Sequence, residues 1–271
     1  MPQLKLTYFN GTGRAELTRL ILHYGGVAFE DERISHGDLA ALKPSLPLGQ
    51  LPVLQEMEGS RPYLVSLVMS PASRLKLTYF DGTGRAELAR LVFTFGGVAF
   101  EDERITHAEM PALKPSLPLG QLPVLQVNGV VFAQSFAIAR YAAALSGLYP
   151  HDAADAMWVD MVSETIRDLV TVFISTFTEQ DADKKTEITE TFLEVTVPAA
   201  FKMLEGMMRG EFFLGNARAS LADVHLFDFV YNALVPVFQF SLAPFPKLAA
   251  VVERVESNTN IAAYLEKTKK K

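Results

Sequence analysis

Polar side chains able to do chemistry gather at a few places in this sequence. Tyr79 comes near the end of an alternating run that starts at Leu75, Arg85 and Glu87 follow Gly82 and Gly84, and Gln134 and Ser135 open an alanine-rich stretch. Taken singly they read as structure: a strand tyrosine, an ion pair on a first helical turn, and a serine N-cap. Asp168 follows Glu164 by four residues, a like-charge helical pair that costs roughly a few tenths of a kcal/mol. The five histidines, His23, His36, His107, His151 and His225, show no HxxH or HxxxH spacing, so no metal site is expected. Cysteine is absent. That removes disulfides, CxxC redox pairs and a thiol nucleophile, and sulfur chemistry must use sulfur carried by a ligand.

The chain has 271 residues, 49% of them apolar, enough for one large or two ordinary domains with real cores. Acidic residues outnumber basic ones by 31 to 25, which argues against a surface built to neutralise nucleic-acid phosphates. The start, Met1 to Lys5, has no basic stretch followed by an apolar core, and a cytoplasmic location is the expectation. Residues 115 to 139 lack charge, but Pro118, Gly120, Gln121, Pro123, Asn128, Gly129 and Gln134 interrupt them; buried strands and turns are expected there, not a membrane span.

A repeat organises the first half. Leu4 to Gln55 recurs as Leu75 to Gln126, shifted by 71 residues, and only 11 of the 52 aligned positions differ. Within the second copy, Leu75, Leu77 and Tyr79 alternate with Lys76 and Thr78 as a first strand. A helix follows from about Arg85 to Phe95, stopped by Gly96-Gly97. Strands are expected at Val98 to Ile105, Leu122 to Val127 and Val130 to Ala133, the last two joined by an Asn128-Gly129 hairpin. Ser135 then caps a helix to about Leu145. The first copy stops matching after Gln55; a fourth strand at Arg61 to Val65 is conceivable, but Pro71 and Arg74 leave no room for a closing helix. It reads as incomplete, with one sheet face uncovered.

Past His151 the pattern is helical. Met157, Met161, Thr165, Leu169 and Phe173 make one stripe of a long core helix, with Trp158, Val162, Ile166, Val170 and Phe177 beside it. A second helix, Lys184 to Met208, should kink or split at Pro198 and end by Gly210. Ser220 to Asp223 opens a third as a capping-box variant, and Pro244-Phe-Pro246 precedes a last one, with Lys267 to Lys271 as a frayed tail.

The stretch Lys76-Leu-Thr-Tyr-Phe80, then Gly84-Arg-Ala-Glu87, Leu122-Pro-Val-Leu125 and Gln134-Ser-Phe-Ala-Ile-Ala-Arg-Tyr141 resembles the glutathione transferases, most of all the sigma class that includes the glutathione-dependent prostaglandin D synthases. The resemblance covers residues 75 to 271. It implies an α/β plus all-α architecture: a thioredoxin-like domain at 75–150, an all-helical domain at 151–271, and, ahead of them, an incomplete extra thioredoxin-like copy at 1–74.

The resemblance also implies site roles. Tyr79 matches the tyrosine whose hydroxyl donates to the glutathione sulfur, which favours the thiolate of a group otherwise mostly protonated at neutral pH. Arg85 matches an arginine adding positive potential there, and Lys114 a lysine meeting the glycyl carboxylate. Gln121 and Leu122 precede the family's cis-proline at Pro123, with the Leu122 backbone pairing with the cysteinyl unit. Gln134 and Ser135 match the pair receiving the γ-glutamyl end, at a helix start that welcomes a carboxylate. Asp168 matches an acid reaching that end from a neighbouring subunit, so a homodimer is implied. Glutathione is a cosubstrate; no cofactor, membrane or nucleic-acid partner is implied.

Two departures bear on activity. Met110 stands where many relatives have tryptophan, and Glu164 and Arg167 stand where a prostaglandin synthase would place part of an acidic metal-binding cluster. The leading expectation is therefore conjugation of glutathione to small hydrophobic electrophiles, with a prostaglandin-D-synthase-type isomerase or a non-catalytic binding protein as alternatives. Tyr8 and Arg14 repeat Tyr79 and Arg85, but Val65-Ser66 stands where a Gln-Ser pair belongs, so no competent glutathione site is expected in the first copy.

Overall fold

The computed structural model describes residues 4–46, 50–56, 74–216 and 218–269. The chain divides into two compact units near residue 64. In the first, strand β1 (Leu4–Phe9) leads through a glycine turn to helix α1 (Glu16–Tyr24), strand β2 (Phe29–Ile34), a single turn α2 (Leu39–Leu42) and strand β3 (Val53–Glu56). The sheet order is β2-β1-β3, with β1 parallel to β2 and antiparallel to β3. The conceivable strand at 61–65 and the Val65-Ser66 pair lie outside the described residues.

The second unit repeats this plan and extends it. Strand β4 (Leu75–Phe80), helix α3 (Glu87–Phe95), strand β5 (Glu101–Ile105), turn α4 (Met110–Leu113) and strand β6 (Val124–Val127) are followed by strand β7 (Val130–Ala133) and helix α5 (Ser135–Leu145). The sheet order is β5-β4-β6-β7. Strand β5 starts later than Val98 because the Val98 N–H turns back to the Phe93 carbonyl at 2.9 Å, closing the helix over Gly97, whose φ is +67°. Strand β6 starts after Pro123, which has no N–H to give the ladder. Asn128 and Gly129 both take positive φ, as a tight two-residue hairpin requires.

Helix α3 is the hub of this unit: Leu88, Leu91, Val92 and Phe93 are buried against helix α5 and the helices that follow. Helix α6 (Ala153–Thr178) begins where the Asp152 carboxylate accepts from the N–H groups of Ala154 and Asp155, each at 3.0 Å. The expected second helix is split, as Pro198 requires. Helix α7 (Ala182–Thr191) passes through a π-helical turn, Phe192–Thr196, into helix α8 (Val197–Met207), and the widened turn absorbs the proline's missing donor.

Helix α9 (Leu221–Phe229) opens on the expected capping box: the Asp223 carboxylate accepts from both the backbone N–H and the hydroxyl of Ser220 at 2.7 Å. A second π turn, Val230–Leu234, leads into the single turn α10 (Val235–Phe238). Among the described residues, the run Leu221–Phe238 is the one stretch long and apolar enough to cross a membrane, and 56% of it is buried inside the protein, as for a core helix. The expected single last helix is two, α11 (Pro246–Glu256) and α12 (Thr259–Lys269), because Asn258 breaks the chain and its side chain accepts from the N–H groups of Asn260 and Ile261. The tail expected to fray from Lys267 is helical as far as Lys269, and its last two residues lie outside the described ones.

Candidate active site

Tyr79 sits on β4 where the strand runs into the glycine turn. Its hydroxyl accepts a hydrogen bond from the Arg85 backbone N–H at 3.2 Å, which fixes the phenol against the turn. Gly84 permits this approach: its φ is +47°, and a Cβ there would meet the Tyr79 hydroxyl at 2.7 Å. Behind the phenol lies Arg90, fully buried, its guanidinium 5.8 Å from the ring centroid. Arg90 donates to Asp102 at 2.9 Å, to the Gly82 carbonyl at 2.6 Å and to Glu87 at 3.1 Å, so one side chain ties strand, turn and helix together. Glu87 also accepts from the Tyr264 hydroxyl on α12 at 2.7 Å. The Arg85–Glu87 ion pair, the structural alternative to a catalytic Arg85, is not what forms: Glu87 faces the core and pairs with Arg90, while Arg85 is exposed.

A small pocket beside the turn gathers Arg85, Gln121, Leu122, Pro123, Gln134 and Ser135, six of the residues singled out from sequence. The Leu122-Pro123 peptide is cis. Gln134 holds φ +77° and ψ +102°, an uncommon backbone for a non-glycine residue and a form of local strain that collects at functional sites. Ser135 is the first residue of α5 and makes no capping bond, contrary to the expected cap; Gln134 holds the cap position. The free N–H groups at that helix start therefore remain available to an anion. Lys114 lays its aliphatic stem over Gly120, where a Cβ would meet its Cε at 3.5 Å, so the lysine borders the loop that leads to Gln121.

Arg85 and Ser135 also border a larger cleft of about 460 Å³ that contains Tyr79. Its far wall comes from the helical part: Arg167, Val170, Thr171, Phe173 and Ile174 on α6, and His225, Asp228, Phe229, Asn232 and Ala233 on and after α9. Arg167 stacks on Phe136, 4.9 Å from its centroid, and pairs with Glu164, which also accepts from Arg140 at 2.9 Å. Asp168 does not join the cleft; it is exposed on α6. Burial pushes the His225 imidazole down to about 3, with the Arg167 charge adding to the effect, so it is neutral. Burial pushes the Asp228 carboxyl up to about 7, helped by the charge of Glu87. Little in the sequence marks the α9 side of the cleft. Its one signal is a polar face, His225, Asp228 and Asn232, at i, i+3 and i+7 along an otherwise apolar helix. No group of three or more His, Asp or Glu side chains placed to hold a metal ion occurs among the described residues.

Two family models match this second unit: the glutathione S-transferase N-terminal domain over residues 75–144 and the C-terminal domain over residues 167–268. The hematopoietic prostaglandin D synthase of Gallus gallus is 33% identical over 195 residues, covering 72% of this chain and 96% of its own. The chain belongs to the glutathione transferases, in their sigma-class and prostaglandin-D-synthase-like branch. The prostaglandin D synthase structure from Nilaparvata lugens superposes with a TM-score of 0.66 at 30% identity, covering 72% of this chain and 98% of that one. The sigma-class transferase of Fasciola hepatica gives 0.64 at 28% identity, covering 72% and 96%. As a member of this family the chain is a transferase-family enzyme, and residues 4–55 fall outside both domain matches.

Proposed function

We propose that this glutathione transferase is a glutathione-dependent isomerase of the prostaglandin D synthase type, acting on a lipid endoperoxide. The observation that carries the reading is a single cleft that Tyr79, Arg85 and the start of α5 share with the apolar Val170, Phe173, Ile174 and Phe229 and with the polar Asp228 and Asn232. A thiolate held at Tyr79 would meet a hydrophobic substrate there. Glutathione lies across the smaller pocket: its γ-glutamyl end at Gln134 and Ser135, its cysteinyl backbone along Gln121, Leu122 and Pro123, its glycyl carboxylate toward Lys114. Tyr79 donates to the sulfur and Arg85 adds positive potential. Asp168, exposed and outside its own cleft, serves a neighbouring protomer's γ-glutamyl group in a homodimer. Residues 1–74 are an incomplete thioredoxin-like copy without a working site, ahead of the glutathione-binding domain at 75–150 and the helical domain at 151–271.

Conjugation to small hydrophobic electrophiles, the leading expectation from sequence, becomes the second reading, because prostaglandin D synthases figure among the relatives and similar structures. What favours it is Arg167, which pairs with Glu164 where the resemblance implies acidic metal-binding residues. The test is product analysis with glutathione and a bicyclic lipid endoperoxide, beside chlorodinitrobenzene. A hydroxyketone of unchanged mass supports isomerisation; glutathione conjugates alone overturn it in favour of conjugation.

A further inference from the structure

Asp228 takes part in no ion pair among the described residues, although it stands in the cleft that holds Tyr79. It is half-buried on α9, and its carboxylate accepts from the Asn232 amide at 2.9 Å. The bond reaches from the α-helical part into the π turn at Val230–Leu234, an irregularity that keeps Asn232 on the cleft side. Such turns recur at functional sites. His225, three residues earlier, adds a neutral ring to the same face, with a buried Nδ1 that has no hydrogen-bond partner among the described residues. A carboxyl outside any ion pair among the described residues, hydrogen-bonded at one oxygen and lining the same cleft as the nucleophile's anchor, is placed for proton transfer.

We propose that Asp228 is the acid and then the base of the isomerisation, an assignment that rests on the endoperoxide reading above. The glutathione thiolate attacks one peroxide oxygen; the S–O bond forms, the O–O bond breaks, and its electron pair stays on the other oxygen as an alkoxide. Asp228 in its carboxylic form gives that alkoxide a proton. The resulting carboxylate takes the hydrogen from the carbon bearing the sulfur-bound oxygen. The C–H electron pair becomes the second bond of a C=O, the S–O bond breaks and the thiolate is restored. One proton leaves Asp228 and one returns, so the product is an isomer and no glutathione is consumed.

The surroundings suit both halves of this cycle. Burial and the Glu87 charge raise the Asp228 carboxyl to about 7, where neither proton state is strongly disfavoured at neutral pH. The charged groups that face it are Glu87 and Arg90 on α3, themselves paired, with Tyr264 of α12 closing on Glu87. On the α6 side, Arg167 bears on His225 and is paired with Glu164.

The test compares Asp228→Asn and Tyr79→Phe with the wild type on two reactions. One is conversion of a bicyclic lipid endoperoxide that carries hydrogen on the carbons beside its peroxide. The other is conjugation of chlorodinitrobenzene, in which chloride leaves and no proton need be given to the substrate. The expectation is that Asp228→Asn lowers isomerisation by about 100-fold, at least ten times further than it lowers conjugation, and removes the dependence of the isomerisation rate on a group titrating near neutral pH. Tyr79→Phe lowers both reactions together. Equal losses on the two substrates with Asp228→Asn, or an unchanged pH profile, overturn the assignment while leaving the isomerase reading standing. A wild type that conjugates but makes no hydroxyketone overturns that reading and the assignment with it.

Discussion

Helices α1 and α3 occupy the same place in the repeat and share their glutamate, arginine and both leucines of the first turn and a half, ELTRLILHY against ELARLVFTF, yet they meet different surroundings. Leu91 is 0% exposed in α3, whereas its counterpart Leu20 is 58% exposed in α1; Leu88 and Leu17 stand at 8% and 69%. The local chemistry is nevertheless copied in detail. Tyr8 accepts from the Arg14 N–H at 3.2 Å just as Tyr79 does from Arg85, and Arg19 donates to Asp31 and to the Gly11 carbonyl as Arg90 does to Asp102 and Gly82. A strand, a glycine turn and a buried arginine thus build half a site from neighbouring residues alone. The rest depends on α5, α6 and α9, which cover α3 or face its turn in the second unit.

Paired substitutions in the two copies can break this comparison. The largest effect is expected from Leu91→Ala, which should cost about 2–5 kcal/mol of stability in denaturant unfolding, against about 0.5 kcal/mol or less for Leu20→Ala. Equal costs would mean that α1 is covered in solution. Next, Tyr79→Phe should lower kcat by about 10–100-fold with little change in glutathione affinity, since the lost bond serves the thiolate, while Tyr8→Phe leaves the rate within about two-fold. Steady-state kinetics of the two variants decide which copy works.

Glu87→Ala should destabilise by about 1–3 kcal/mol, because it strips a buried partner from Arg90 and from Tyr264. Glu16→Ala, at a site where the equivalent carboxylate is 38% exposed, should cost about 0.5 kcal/mol or less in the same unfolding measurement. A further contrast is a pH dependence peculiar to the second unit. The folded Asp228 carboxyl, at about 7, holds its proton more tightly than in the unfolded chain, so it lowers stability progressively as pH rises from about 4 to 7. Asp228→Asn should therefore match the wild-type Tm near pH 4 and exceed it by a few degrees above pH 7; a Tm difference independent of pH would refute the raised value.

Much of the second unit's layout was legible from sequence because it is written in short-range signals. Gly96-Gly97, Asn128-Gly129 and the Ser220–Asp223 box each act within a few residues, and each stops, turns or starts an element where expected. The misreadings also have local causes: Pro123 shortens β6, Asn258 divides the last helix, and Gln134 takes the cap position from Ser135. Of the candidate site residues, those on the turn and on the loop before β6 and α5 are close in the fold, since the sheet order brings their strand ends together.

The polar face His225, Asp228 and Asn232 escaped notice for a different reason. At helical spacing it looks like any buried polar interruption, and nothing within α9 says that it faces Tyr79, which lies far earlier in the chain. Sequence alone determined the strands, the turns and the repetition of the tyrosine-bearing strand and glycine turn, because those rest on backbone preferences and contacts between neighbours in the chain. Tertiary structure alone decided that one copy of the helix is buried and gains a cleft while the other presents its leucines to solvent, because burial and a carboxyl's proton affinity depend on what distant segments bring against it.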